Sequence, residues 1–119
     1  MKVDGGRLYD SADCFFTLGG SVVMRLTQAA AVQVCLGAAA QGIVVARIEG
    51  GIWRDPGFEA RVDCIWDGAD PPIEQDDAHR NNIRAAEFIQ SKSAIHTAFI
   101  LTAPPITGWP DNGRGQSAP

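Results

Sequence analysis

The chain has 119 residues, of which 45% are hydrophobic and 20% are charged. This composition is typical of one soluble globular domain whose core is large enough to fold without disulfides or metal ions. The net charge is −4. An acidic chain is a poor candidate for direct binding to nucleic acid, whereas it suits a basic protein partner.

Targeting and cysteine patterns point to the cytoplasm. The first ten residues lack the apolar segment of a secretory signal. Residues 26–46 carry no charge, but they are too rich in alanine, glutamine and glycine for a membrane span. Cys14, Cys35 and Cys64 are odd in number and show no paired spacing, so we expect free thiols and neither a disulfide framework nor a zinc site.

The N-terminal half predicts two strands, a helix and a further strand. Residues 13–26 read as two short strands joined at a Gly-Gly pair, which permits the backbone of a tight hairpin. Thr27 can cap a helix that ends near Gln41, with Gly42 at the left-handed position beyond it. The β-branched residues 43–49 then form a strand, and we expect Gly50-Gly51 to bend or bulge it.

The stretch from Gly50 to Pro72 predicts a second hairpin that leads into a loop. Residues 55–58, Asp-Pro-Gly-Phe, fit a type II turn because proline fixes φ and glycine accepts a positive φ. The next strand alternates, so one set of side chains should face the core and the other should face water. The core set is predicted to be Phe58, Ala60, Val62, Cys64 and Trp66, and the solvent set Glu59, Arg61, Asp63 and Ile65.

The C-terminal half predicts a long amphipathic helix and an interior strand. The helix should run from near Ile73 to about Ser91, with an apolar face of alanines and Ile89. Asn82 falls on this face, either as a satisfied buried amide or because the face is only partly covered. Residues 95–102 are apolar on both faces, as expected of an interior strand. Residues 110–119 are polar and turn-rich, and we expect a loose tail.

These elements predict one α+β domain over residues 1–109. The order is ββ-α-ββ-α-β, with a two-layer arrangement of a mixed sheet of about five strands and two helices packed on one face. The last helix can act as a crossover that leaves its two flanking strands parallel.

Charge is the most uneven feature of the sequence. Eight acids and one base, Arg61, lie between Asp55 and Asp77, which gives this segment a charge of −7 and leaves +3 for the rest. Acids at a helix start and on a wet strand face explain part of this. An exposed tryptophan in an acidic rim, however, is typical of a protein-binding hot spot. The predicted contacts are Trp53, Asp55, Glu59, Asp63, Asp67 and Asp70, with Asp76 and Asp77 as steering charges at the rim.

Catalytic and metal-binding patterns are weak by comparison. Asp63, Asp67 and Asp70 could offer oxygens to a cation, but their spacing is not that of a calcium loop, so we expect no metal and no cofactor. Nucleophile and phosphate-loop motifs are absent from the sequence. We expect His79 to be solvated and His96 to be structural. A non-enzyme is favoured; the alternative is a small enzyme or ligand-binding domain that uses the same carboxylates.

Three segments carry a resemblance to a known family. They are "GIVVARIEGGIWRDPGFEARVDCIWDG", a helix containing "NNIRAAEFI", and "HTAFILTAPPITGW". Together they resemble the small cytosolic immunity proteins of bacterial polymorphic toxins, of the colicin and contact-dependent growth-inhibition types, over roughly residues 24–109. The resemblance implies a non-enzymatic inhibitor that binds a toxin domain, often a nuclease with a basic cleft. The acidic charge and the weakly apolar residues 26–46 add the expectation of no direct contact with nucleic acid or membrane.

Overall fold

The computed structural model describes residues 2–54, 57–92 and 94–110, and over them the chain has the predicted α+β fold. One mixed sheet of five strands carries the α-helices, of which the described residues contain three where two were predicted. The strands are β1 (Leu8–Tyr9), β2 (Arg25–Leu26), β3 (Arg47–Trp53), β4 (Phe58–Asp67) and β5 (Ala98–Thr102); the helices are α1 (Ala12–Leu18), α2 (Gln28–Ala38) and α3 (Gln75–Lys92).

The sheet order is β1-β2-β5-β3-β4, and only the β1–β2 pair is parallel. β5 lies between β2 and β3, so the prediction of an interior strand is confirmed. β4 and β5 are each antiparallel to β3 and therefore run parallel to each other. α3 connects them as the expected crossover, although β3 lies between the two strands. β4 forms one edge of the sheet.

The predicted hairpin over residues 13–26 is wrong, because α1 occupies much of it. Ser11 caps this helix by accepting a hydrogen bond from the Cys14 amide at 3.3 Å, and Gly19 ends it at a φ of 68°. Phe15 is buried in the core. A capped helix that buries an aromatic ring outweighs the strand propensity of Phe-Phe-Thr. The Gly-Gly pair therefore follows a helix instead of turning a hairpin.

The predicted alternation of β4 holds only in part, because the strand bulges. Glu49 pairs with Ile65 and Gly51 with Ala60, so Gly50 alone faces four residues of β4. The irregularity lies at Gly50-Gly51, as expected, but the extra residues belong to β4 and not to β3. Cys64 reaches the core, as predicted, but Val62 is 92% exposed and Ala60 is exposed as well, so their assignment to the core is wrong. A bulge shifts the inward and outward alternation of the strand that contains it.

The core lies between the helices and the inner face of the sheet. Phe99 and Leu101 of β5 and Ile48 of β3 are completely buried, and they pack with small residues of α2 and α3. Tyr9 and Phe15 from the N-terminal segment belong to the same cluster. No helix in the described ranges is long and apolar enough to cross a membrane.

Candidate partner-binding surface

The tip of the β3–β4 hairpin holds the first predicted contact residue. Trp53 ends β3 and is half-buried, and its backbone amide donates to Thr97 Oγ1 at 2.9 Å. Asp55, the next predicted contact, lies outside the described residues. Gly57 adopts a φ of 111°, the kind of conformation for which glycine was expected in this turn.

Arginines compensate the acid beside this tip. Glu59 accepts two hydrogen bonds from the Arg54 guanidinium, at 2.7 and 2.9 Å, and Arg61 Nε lies 3.2 Å from its other oxygen. The side-chain hydrogen bond from Arg54 is the main cause that lowers the pKa of Glu59. The hairpin tip is therefore close to neutral, in spite of the acidic sequence around it.

Asp63 lies on the bulge of β4 beside a buried histidine. Its Oδ1 is 3.5 Å from His96 Nε2, while Nδ1 of the same ring is 3.2 Å from the Lys92 carbonyl oxygen. His96 is only 5% exposed, which confirms that it is a structural histidine. His79 is exposed on α3, as expected. The Asp63 side chain remains 74% exposed and can contact a partner.

Asp67, at the other end of β4, has a cationic partner. Arg47 Nη1 lies 2.5 Å from Asp67 Oδ1, and Arg47 Nε lies 3.1 Å from Glu49 Oε2. The hydrogen bonds that Arg47 donates to Glu49 and then to Asp67 raise the pKa of Arg47. Like Glu59, Asp67 therefore offers a partner less charge than its sequence context indicates.

Three acids of the acidic segment that have no ion-pair partner lie around the start of α3. Asp70, Glu74 and Asp76 are exposed, and none of them is within ion-pair distance of a cation in the described part of the chain. Asp77 is paired with Arg80, one turn further along the helix. The helix dipole favours acids at this position. Even so, three carboxylates without ion-pair partners face solvent here.

Two adjacent asparagines hold the loop before α3 in place. The Asn81 side chain accepts from the Ala69 amide at 2.9 Å and donates to the Val45 carbonyl at 2.8 Å. Asn82 accepts from the Val45 amide at 2.8 Å and donates to the Ile43 carbonyl at 3.2 Å. Asn82 is thus a satisfied buried amide, the first of the two alternatives. These bonds fix the loop that carries Asp70 against both α3 and the segment before β3.

The predicted contact residues therefore divide between two regions. Trp53, Glu59 and Asp63 lie along the hairpin and the bulge, whereas Asp67 lies at the far end of β4, which as a ten-residue strand is up to about 30 Å long. We call the second region the acidic end; its residues are Asp67, Asp70, Glu74, Asp76 and Asp77. Among the described residues, no group of three or more metal-ligating side chains is close enough to hold an ion.

One concave surface lies at the acidic end, and another lies on the segments after α1 and β5. An open groove of about 670 Å³ is lined by residues including Glu74, Asp77 and Ile106. A second groove of about 580 Å³ is mostly apolar and includes Val22 and Trp109. Trp109 is half-exposed, although the sequence did not single it out as a candidate contact. Its position, just after the Pro-Pro that ends the last predicted strand, is the signal that could have pointed to it.

The family comparison covers most of the chain. Residues 24–104 match the family model described as "Colicin-E5 Imm protein". The match begins where the resemblance in the sequence began, and it confirms that resemblance.

Curated relatives come from two bacteria. The chain is 61% identical to "Immunity protein CdiI" of Burkholderia pseudomallei over 109 residues, which cover 92% of this chain and 100% of the relative. It is 35% identical to "Colicin-E5 immunity protein in ColE9" of Escherichia coli over 80 residues, 66% of this chain and 96% of the relative. A second Escherichia coli protein, "Colicin-E5 immunity protein", is also 35% identical over 80 residues.

Proposed function

This chain belongs to the colicin-E5 immunity protein family, and we propose that it neutralises a cognate nuclease toxin as a non-enzymatic, stoichiometric inhibitor in the cytoplasm. Relatives whose names include colicin E5 support a toxin of the colicin type. A nuclease must hold phosphates, so its cleft tends to be basic. An acidic inhibitor surface would meet such a cleft directly.

The observation that carries the proposal is the acidic end. Asp70, Glu74 and Asp76 lack ion-pair partners among the described residues. Asn81 of α3 holds the loop at Ala69, next to Asp70, and Asp76 lies in the first turn of the same helix. Charges that are already positioned speed the encounter with a basic partner and cost little ordering on binding. We propose Asp67, Asp70, Asp76 and Asp77 as its charged contacts, together with Trp53, Asp55, Glu59 and Asp63 if the interface extends along β4.

The alternative of a carboxylate enzyme has less support. A general acid–base pair needs two acids that converge in an enclosed pocket. The groove that holds Glu74 and Asp77 is open to solvent, and Asp77 is paired with Arg80. A smaller cavity of about 160 Å³ is lined by Phe15, Phe16 and other residues, none of which is acidic. This geometry suits a binding surface better than an enclosed active site.

The first prediction concerns salt and charge. The toxin domain encoded beside this gene should bind the chain one to one, and affinity should fall about tenfold or more between 50 and 500 mM salt. The double variant Asp70→Asn/Asp76→Asn should weaken binding and flatten this salt dependence. Surface plasmon resonance with the purified toxin domain measures both effects.

Glu87→Gln is the matched control for that experiment. Glu87 is exposed on α3, about 16 Å along the helix from Asp76. The Glu87→Gln substitution therefore removes one acid that lies outside the acidic end. We expect its affinity to equal that of the wild type. Affinity that is independent of salt, or that falls equally for both variants, would contradict the role of the acidic end. Turnover of a substrate by the chain itself would contradict the non-enzymatic inhibitor.

A further inference from the structure

An apolar groove lies next to the acidic end. Its volume is about 580 Å³, and it is formed by the loop after α1 and by the segment after β5. Val22 and Trp109 line it and are 58% and 50% exposed. Pro104, Pro105 and Pro110 complete much of the apolar lining. Exposed apolar groups around a concavity on a small protein are a feature of interaction sites.

The backbone at Val22 is strained, and this strain keeps an apolar side chain at the groove. Val22 has a φ of 76°, and the described non-glycine residues contain no other positive φ. The left-handed conformation is unfavourable for an L residue, and especially so for one with a β-branched side chain. The Val22 amide donates to the Leu101 carbonyl at 2.8 Å, which ties this loop to β5. Strain of this kind is found mainly at functional sites.

The apolar groove and the acidic groove share a wall. The wall is a turn in which the Gly108 amide donates to the Pro105 carbonyl at 3.2 Å. Pro105 lines the apolar groove, and Ile106 lines the acidic one beside Glu74. The Ile73 amide donates to the Ile106 carbonyl at 2.9 Å, so the loop before α3 is attached to the same turn. One partner surface can therefore contact both grooves.

We propose that the groove at Val22 and Trp109 is the apolar anchor of the toxin interface. This inference rests on the proposed function: its occupant is an apolar side chain of the same toxin domain whose basic surface meets the acidic end. The combination of a half-exposed tryptophan, an apolar pocket and an adjacent rim of unpaired acids is that of a binding hot spot. Trp109 takes the role that the sequence reasoning gave to Trp53.

Trp53 is less suited to this role. It is half-buried, its amide is bonded to Thr97, and the acid beside it, Glu59, is compensated by arginines.

Val22, Pro105 and Trp109 lie outside residues 24–104, the part that matches the colicin-E5 family model. Other lining residues, such as Ile43 and Pro104, lie within that match, so Val22, Pro105 and Trp109 add apolar contacts to a groove whose floor belongs to the shared core of the family. These contacts would give the chain selectivity for its own toxin.

Trp109→Ala is the first test, on the full chain with the toxin domain encoded beside it. We expect binding to weaken at least about tenfold, with the salt dependence of the wild type retained. Ile95→Ala is the matched control, because Ile95 is 67% exposed and precedes β5 whereas Trp109 follows it. This control should stay within about twofold of the wild type. A larger loss for Trp53→Ala than for Trp109→Ala would overturn the assignment of the anchor.

Val22→Asn separates binding from stability. Asparagine tolerates a left-handed backbone better than valine, so this variant should raise the melting temperature. It also places a polar group in the groove and should weaken binding about threefold or more. A purely structural role for Val22 predicts no loss of affinity. If the wild type binds the toxin domain and both Val22→Asn and Trp109→Ala bind it as tightly as the wild type does, this inference is wrong. If the wild type itself does not bind, the proposed function is wrong instead.

Discussion

At the scale of single residues, the role of a buried polar side chain depends on partners that are distant in the sequence. Asn82 appeared in the sequence as an interruption of an apolar helix face, and the sequence left its role open. The structure assigns it to the backbone of residues 43–45, thirty-seven positions from Val45. Periodicity could find the buried face of α3, but a partner so far away in the chain cannot be read from local spacing.

Asn82→Ala tests the weight of this amide. The change leaves the Val45 amide and the Ile43 carbonyl without their side-chain partners in a buried place. We expect the free energy of unfolding to fall by about 3 kcal/mol, since each unsatisfied buried group costs about 1–3 kcal/mol. Urea denaturation followed by tryptophan fluorescence measures it. Arg84→Ala, at an exposed site on the same helix, should change stability by less than about 0.5 kcal/mol.

Ion pairs between different strands or loops also cannot be predicted from the order of residues along the chain. In the sequence, Glu59 and Asp67 are equivalent to Asp70 as candidate contacts, because all three lie in one acidic segment. Arg54 and Arg47 lie outside that segment, yet they pair with Glu59 and Asp67 across the hairpin and the sheet. The charge that a partner meets is therefore a property of side-chain neighbours in space. Counting acids along the chain overestimates it at the hairpin.

At the scale of elements, the sequence was most informative where a pattern was long. α3 and the crossover to β5 follow an eighteen-residue helical pattern and agree with the prediction. α1 is only seven residues long, and its Ser11 cap was overlooked beside a Gly-Gly pair typical of hairpins. Gly50-Gly51 indicated an irregularity in β3, but the extra residues lie in β4, and the resulting exposure of Val62 depends on the pairing of the two strands.

Glycine substitutions test these elements in opposite directions. A Cβ at Gly50 would overlap Cys64 Sγ and approach the Phe99 ring at 3.0 Å, so Gly50→Ala should destabilise the protein by about 2 kcal/mol. In α2, a Cβ at Gly37 would meet nothing closer than 3.7 Å. Gly37→Ala should stabilise by about 0.5–1 kcal/mol because alanine favours helix. Thermal unfolding of both variants gives the comparison, and equal signs would contradict the packing described for Gly50.

At the scale of the whole molecule, the three cysteines report on the core. Cys35 and Cys64 are buried, and burial raises the pKa of Cys35 from its usual 9.0 to about 12 and is the main cause that raises the pKa of Cys64. Folding therefore opposes thiolate formation. Since the folded-state pKa values are raised, this contribution to stability is complete below pH 9 and declines as the pH rises toward 12.

Thiol labelling makes this measurable. At pH 8 the half-buried Cys14 should react with an aromatic disulfide reagent within minutes, whereas Cys35 and Cys64 should react only as fast as the protein unfolds. Three fast thiols would mean that the core opens locally without global unfolding. Mass spectrometry after a short pulse identifies the modified residue, and a pulse in 6 M guanidinium supplies the fully reactive control.

The bulge of β4 also bears on self-association. An edge strand offers a row of unpaired amides and carbonyls that can recruit a strand from another molecule. In β4 the bulged residues 61–64 interrupt this row of backbone groups, and the bulge carries the charged side chains of Arg61 and Asp63. An incoming strand would find no continuous ladder along the ten residues. The distortion that brings Val62 into water thus protects the longest exposed edge of this sheet from strand-by-strand polymerisation.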